Sequence, residues 1–188
     1  VYTKSRQDGF NGKIGMTVGV GSWWIRKQNL PDIRPQFRFT PKANPTLSLN
    51  YRKNKVNFFF HLYYLYTQTL NKNEFVTRTY DDGTIIQQQT KRNRNTHFSN
   101  TQNGIDLNIK ENDKLTISGM FGSEKIIDNG DEPFFNADLS ERKRLWQFLE
   151  DELKITAMAS AAYQHKFKQA GHLLNISFNY TFHREDEK

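Results

Sequence analysis

The residues that could carry chemistry are few and scattered. The five histidines, His61, His97, His165, His172 and His183, show none of the spacings from which a zinc site is built, and the chain has no cysteine. His165 and His172 flank a turn. Without cysteine there is no disulfide scaffold and no thiol-based redox or metal centre. The acidic run Glu150-Asp151-Glu152 falls in a charged stretch and reads as solvated rather than as an acid–base pair. No phosphate loop, nucleophile elbow or zinc signature is present. Two basic runs, Arg92-Asn93-Arg94 and Arg142-Lys143-Arg144, have the composition to meet phosphate, and the formal net charge of +7 points to anionic partners in general. Plain solvation of loop tips accounts for both runs more simply. The sequence therefore predicts no enzyme, no cofactor, no metal site and no nucleic-acid partner.

What is patterned is apolarity. In 46–66, TLSLNYRKNKVNFFFHLYYLY, the residues Leu47, Leu49 and Tyr51 alternate with Ser48, Asn50 and Arg52 ahead of a polar turn. After the turn Val56, Phe58, Phe60, Leu62, Tyr64 and Tyr66 fill every second place, opposite Asn57, Phe59, His61, Tyr63 and Leu65. Side chains on a strand alternate between faces, so this is a hairpin with one unbroken apolar face and one mixed face. A soluble sandwich buries such a face under a second sheet; a membrane barrel gives it to lipid. A mean hydropathy of −0.82 does not separate the two, because only alternate residues of a barrel strand face lipid and long polar loops dilute the average. No run approaches the length of a transmembrane helix. Aromatic content is high at 14%, and rings favour both strands and interfacial girdles.

The same alternation recurs along the chain. It predicts seven antiparallel strands at 13–24, 45–53, 55–68, 96–110, 114–122, 156–167 and 172–183, in an up-and-down order. In the first, Ile14, Met16, Val18 and Val20 alternate with Gly15, Thr17 and Gly19. Four prolines, Pro31, Pro35, Pro41 and Pro45, make 25–45 a loop with a ragged strand start near Phe37 and Phe39. Asp82-Gly83, between FVTRTY and TIIQQQT, signals a two-residue hairpin turn, and KRNRN after it reads as a solvated tip. Ile105, Leu107 and Ile109 share a side, as do Leu115, Ile117 and Phe121. The charged excursion 123–155 offers Ser140 as a helix cap ahead of SERKRLWQFLEDELK, with an irregular loop as the alternative. HREDEK closes as a solvated tail. Short turns at 53–55, 110–114 and 168–171 alternate with long connections, which is the loop asymmetry of an outer-membrane barrel.

Four stretches, GFNGKIGMTVGVGS, LSLNYRKNKVNFFFHLYYLY, GIDLNIKENDKLTISGMFG and AAYQHKFKQAGHLLNISFNYTF, resemble the barrel of Bacteroidetes TonB-dependent outer-membrane receptors, in the branch known as the outer membrane protein β-barrel family. The resemblance spans nearly the whole chain through loose strand-and-turn patterns. It implies that 1–12 is the end of a plug or linker running into the barrel, and that 13–188 is about seven strands of a larger barrel, in which no TonB box or plug body falls. It also implies a place in the cell outer membrane, outer-membrane lipid and a TonB-type energy-transducing complex as partners, and uptake of a scarce nutrient without covalent chemistry. A barrel of this kind has about 22 strands around a plugged lumen.

On that reading the lipid-facing residues are Val56, Phe58, Phe60, Leu62, Leu174, Ile176 and Phe178. The interfacial rings are Trp23, Tyr51, Tyr64, Tyr66, Phe121, Phe167, Tyr180 and Phe182, and Arg52, His61 and Tyr63 face the lumen. The fold expected is an open, curved segment of a barrel, with 13–24 and 172–183 as unpaired edges: an odd strand count cannot close antiparallel, and Gly15, Gly19 and Gly21 are too small to fill a narrow barrel. The rival reading is a soluble all-β binding module for glycans or nucleic acid. It requires that the Val56 to Tyr66 stripe be covered or broken by a charge.

Overall fold

The computed structural model describes residues 8–22 and 29–188, so the expectations for Trp23 and for residues 1–7 lie outside the described residues. The chain forms one seven-stranded antiparallel sheet: β1 (Gly9–Ser22), β2 (Phe39–Lys53), β3 (Val56–Thr79), β4 (Ile85–Lys110), β5 (Asp113–Asn136), β6 (Arg142–Lys166) and β7 (Leu173–Glu187). The order is β1-β2-β3-β4-β5-β6-β7, each strand pairing only with its neighbours in the chain. β1 and β7 do not pair, so the sheet is open, and the all-β, up-and-down meander is as the alternation requires.

The strands are far longer than expected. β3 to β6 run to 24, 26, 24 and 25 residues, where ordinary strands have 3–10. Both polar stretches taken for long loops are continuations of the ladder. KRNRN is therefore no solvated tip: Lys91 to Asn95 lies in mid-strand, and Lys91 and Asn93 are buried. No helix occurs among the described residues, and Ser140 caps none. Leu145, Phe148, Leu149 and Leu153 suggested one because they fall three and four apart; on the strand Phe148 stands on the face opposite the three leucines. Four is a multiple of two as well as nearly a helical turn, so the same leucines line one face of a strand. Pairing of Glu132 to Trp146 and its neighbours satisfies that strand's backbone. β7 likewise carries the alternation through the charged tail to Glu187.

Turns and prolines refine the picture. The Asp82-Gly83 hairpin closes with Tyr80 and Thr84 bonded to each other and Gly83 N–H donating to the Tyr80 carbonyl, 2.9 Å each. This is a three-residue loop, with Gly83 in the left-handed region at φ 82°, and not a two-residue turn. Pro41 and Pro45 are inside β2, which starts six residues ahead of the expected position. The ladder to β3 is interrupted at Asn44 and Pro45. There the Asn44 side-chain amide donates to the Tyr64 carbonyl at 2.6 Å, standing in for the N–H that proline lacks. Bulges insert Asn71 into β3, Ile109 into β4 and Lys143 into β6, so Ile109 does not continue the face of Ile105 and Leu107.

Candidate functional site

The candidate site is the sheet itself, divided into two faces and two halves. Directly paired residues share a face, and the registers define continuous rows across all seven strands. Phe10, Tyr51, Phe58, Ile105, Ile117, Ala161 and Phe178 form one row; Ile14, Leu47, Leu62, Thr101, Phe121, Ala157 and Phe182 form another. Between them lies the row of Leu49, Phe60 and Tyr180, and towards the short turns that of Val56, Leu107, Leu115, Tyr163 and Ile176. Leu174 and Phe167 continue the same face. Every residue assigned to lipid, and every described interfacial ring, thus stands on one face. Arg52, His61 and Tyr63 stand on the other, among Asn57, Asn100 and Gln102.

The apolar face of this near half, the end with the turns at 54–55, 111–112 and 167–172, is uncovered by the described residues. The far connections at 80–84 and 137–141 are as short, so the expected asymmetry of loop length is absent from these hairpins. Ile14 is 84% exposed, and Phe178 66%. Among the described residues only Leu30, Ile126 and Phe135 are buried hydrophobics, against 23 exposed large ones. The near half therefore has no core of its own. Among the described residues no charged side chain interrupts the three rows from Phe58 to Leu62, and the Val56 row carries Lys53 at its β2 position. The band ends at an aromatic–histidine belt, where Tyr64 Oη hydrogen-bonds with His97 Nδ1 at 2.7 Å and the Tyr66 ring lies 5.0 Å from the His97 ring. From Val56 to Tyr66 is ten residue steps, roughly 33 Å along a strand at the usual rise.

Above the belt the chemistry reverses. Most buried groups in this far half are polar, namely Gln88, Gln89, Thr90, Lys91, Asn93, Asp128, Asp131 and Glu152, and the three buried hydrophobics, Leu30, Ile126 and Phe135, lie among them. On the face that is apolar lower down, the segment 29–38 lies across β4 and β5 as a strap. Gln89 Oε1 accepts from Leu30 N–H at 2.8 Å, and its amide donates to Asn73 and Asn29 at 2.9 and 3.2 Å. Asn93 accepts from Phe37 N–H and donates to the Pro35 carbonyl, at 3.2 and 3.1 Å. Asp131 accepts from Arg34 N–H at 2.8 Å and pairs with its guanidinium at 3.3 Å. Arg142 pairs with Asp32 of the strap at 3.1 Å.

The opposite face of the far half carries charge and rings. Arg94 pairs with the fully buried Asp128 at 2.9 Å. Arg92 lies 4.1 Å over the Phe148 ring, and Arg144 lies 4.3 Å over the Trp146 ring. Gly130 makes the first stack possible, since a Cβ there would run into the Phe148 ring and the Lys91 carbonyl. The two basic runs are thus strand residues, their arginines divided between faces. Glu150-Asp151-Glu152 is likewise no solvated loop: Glu152 is buried and pairs with Lys154 at 2.6 Å, and Asp151 pairs with Lys125.

Four of the five histidines find separate polar neighbours across the ladder, His97 at Tyr64 as above, while His172 lies in the β6–β7 connection and bonds through its backbone. His61 bonds Ser48 at 2.8 Å, His183 bonds Thr156 at 2.9 Å and His165 bonds Asp113 at 2.7 Å. Among the described residues no three metal-binding side chains come together. At the far tips two carboxylates are held below the ordinary range. Asp82 accepts from the Thr84 backbone N–H, and Asp138 accepts from the Ser140 hydroxyl and backbone N–H.

Sequence reasoning missed the strap and its anchors. Glutamine and asparagine carry no periodic signal when buried, and nothing local marks Gln89 as different from Gln87. No protein-family model matches the chain, and no curated protein matches it.

Proposed function

We propose that the chain is part of a transmembrane β-barrel in the outer membrane, in a TonB-dependent receptor that takes up a scarce nutrient such as a siderophore, metal complex, peptide or glycan. The observation that carries this reading is the uncovered apolar band, continuous across seven strands and free of charge through three rows. A soluble protein exposes no apolar patch of that extent without a partner for it. Strand tilt of about 40° reduces the roughly 33 Å of band to about 25 Å of height, the thickness that barrel bands have. Tyr64, Tyr66 and Phe182 then sit where an aromatic girdle belongs, and the strand extensions above them rise beyond the headgroups. β1 and β7 pair with further strands of the same barrel, which removes both free edges.

The receptor assignment rests on the strand-and-turn patterns quoted above, and the energy-transducing partner comes with it. Arg52, His61 and Tyr63 line the interior. No covalent step is assigned to the protein. The soluble binding module has nothing in the near half to cover the stripe. Cell fractionation of the intact protein tests the reading. It is expected in the outer membrane, released by detergent alone. Recovery as a soluble monomer from the periplasm overturns it.

A further inference from the structure

The three short turns share a feature that the barrel reading does not use. Lysines stand at all three: Lys53 and Lys55 flank Asn54, Lys110 precedes the β4–β5 turn with Lys114 the second residue of β5, and Lys166 and Lys168 both lie on the β6 side of the β6–β7 connection. Lys114 pairs with Asp106 at 3.1 Å and Lys55 donates to the Ile109 carbonyl at 3.3 Å. Lys53, Lys110, Lys166 and Lys168 are exposed and form no salt bridge among the described residues. The far tips are organised differently. They carry Asp81, Asp82, Asp138 and Glu141; Arg142 and Lys143 there are tied to Asp32 and Glu141, and Arg78 stands exposed before the 80–84 tip.

Two of these lysines mark the lower border of the apolar band. Lys53 stands in the Val56 row and Lys110 is paired with Asp113, both on the apolar face, whereas Lys166, paired with Leu173, stands on the opposite face at the same end. Exposed Tyr51 and Phe167 stand beside them. Lysine stems lie along apolar surface while the ammonium reaches polar surroundings, and rings settle at the same depth, so this border has the composition of a headgroup contact. Lys53, Lys166 and Lys168 have no carboxylate partner among the described residues, Lys110 faces Asp113 across the ladder, and exposed lysines gathered at this end call for an anionic surface.

We infer that the short-turn end is a docking surface for anionic phospholipid headgroups of the phosphatidylglycerol kind. This rests on the barrel reading and adds which lipid the lower rim selects. The lysines act as point charges on phosphate, so the preference falls as salt screens it.

The absence of cysteine permits a single reporter. The intact protein carrying Gln169→Cys, labelled with an environment-sensitive dye, is placed in phosphatidylcholine vesicles with added brominated phosphatidylglycerol or brominated phosphatidylcholine. Quenching by the brominated phosphatidylglycerol is expected to be about threefold stronger at low salt, the excess disappearing at high salt and in the combined Lys53, Lys110, Lys166 and Lys168→Gln variant. A dye at Ala137→Cys, on a far tip, shows no such preference. Equal quenching by both lipids at Gln169→Cys overturns the lipid preference and leaves the barrel standing. No quenching by either lipid overturns both. Lysine-dependent capture of polyglutamate without a lipid preference replaces the lipid by an acidic protein. A preference for lipopolysaccharide over phosphatidylglycerol overturns the inference by inverting the topology.

Discussion

The near and far halves of the same strands bury opposite things. Below the Tyr64–His97 belt, the apolar face is bare from Ile14 to Phe178 and almost nothing hydrophobic is enclosed. Above it, most buried groups are polar, glutamine, asparagine, aspartate and lysine among them, closed in by the 29–38 strap. Backbone pairing is the same in both, since one ladder runs through. What differs is the medium each half is built to meet. The far half pairs many of its polar groups internally and covers them, as a protein in water does, although Gln88 Oε1 and Asn95 Oδ1 are buried without a hydrogen-bond partner among the described residues. The near half leaves its apolar surface to whatever surrounds it.

The comparison breaks most sharply at the band. Phe60→Arg or Leu62→Arg is expected to abolish outer-membrane assembly, at roughly 2–4 kcal/mol for arginine near mid-membrane. Gln102→Arg, at the same height on the polar face, should assemble normally. Asn57 is a poorer control, because it is buried and donates to Asp106 at 3.3 Å. Equal assembly of all variants by outer-membrane fractionation would remove the distinction between the faces.

A smaller effect is expected at the strap. Gln89→Ala leaves Leu30 N–H without its acceptor and strips two further amide bonds, at roughly 1–3 kcal/mol for groups left unpaired. Hydrogen exchange at Leu30 and proteolysis within 29–38 should accelerate, with assembly unchanged. Asp131→Asn keeps an acceptor for Arg34 N–H but loses the ion pair, so it should cost about 1 kcal/mol or less, given that Arg34 is partly exposed. Exchange at Arg34 measures it.

The smallest effect is a pH dependence at the tips. The carboxyl of Asp82 is lowered from an ordinary value of 3.8 by the Thr84 N–H. A lowered carboxylate contributes stability that is complete above that ordinary value and is lost as pH falls through the folded value. Thr84 exchange should thus quicken only below about pH 4, and Asp82→Ala should be fast at every pH. Quickening at neutral pH would assign the turn to another group.

How legible this was depended on repetition. Val56 to Tyr66 and Leu174 to Phe182 give alternate apolar residues over five or more places, so strand, face and pairing were all readable. The far halves of β3 to β6 lack it: both faces there are polar, and nothing periodic distinguishes a polar strand from a loop. Leu145, Leu149 and Leu153 failed for another reason, since their spacing fits two periods and only the β5 partner decides between them. The strap was beyond reach because its contacts, such as Phe37 to Asn93, join residues 56 apart through side chains with no pattern.

The bulge at Asn71 has a consequence for anyone reading along β3. Up to Leu70 the even-numbered residues stand on the face of the band; from Asn73 the odd-numbered ones do, because one unpaired residue shifts the count. The strand is a two-letter message with a frameshift. An accessibility scan by successive cysteine replacement should show its alternation invert at that residue, and Phe75 should report with Phe58 although their numbers differ in parity. Deleting Asn71 would leave Leu70, Lys72 and Asn73 opposite Asn93, Arg92 and Lys91 as before, so Asn73 would still hold Gln89 while the alternation ran through without a break. The polar half and the apolar half share one register, and the extra residue only interrupts the count.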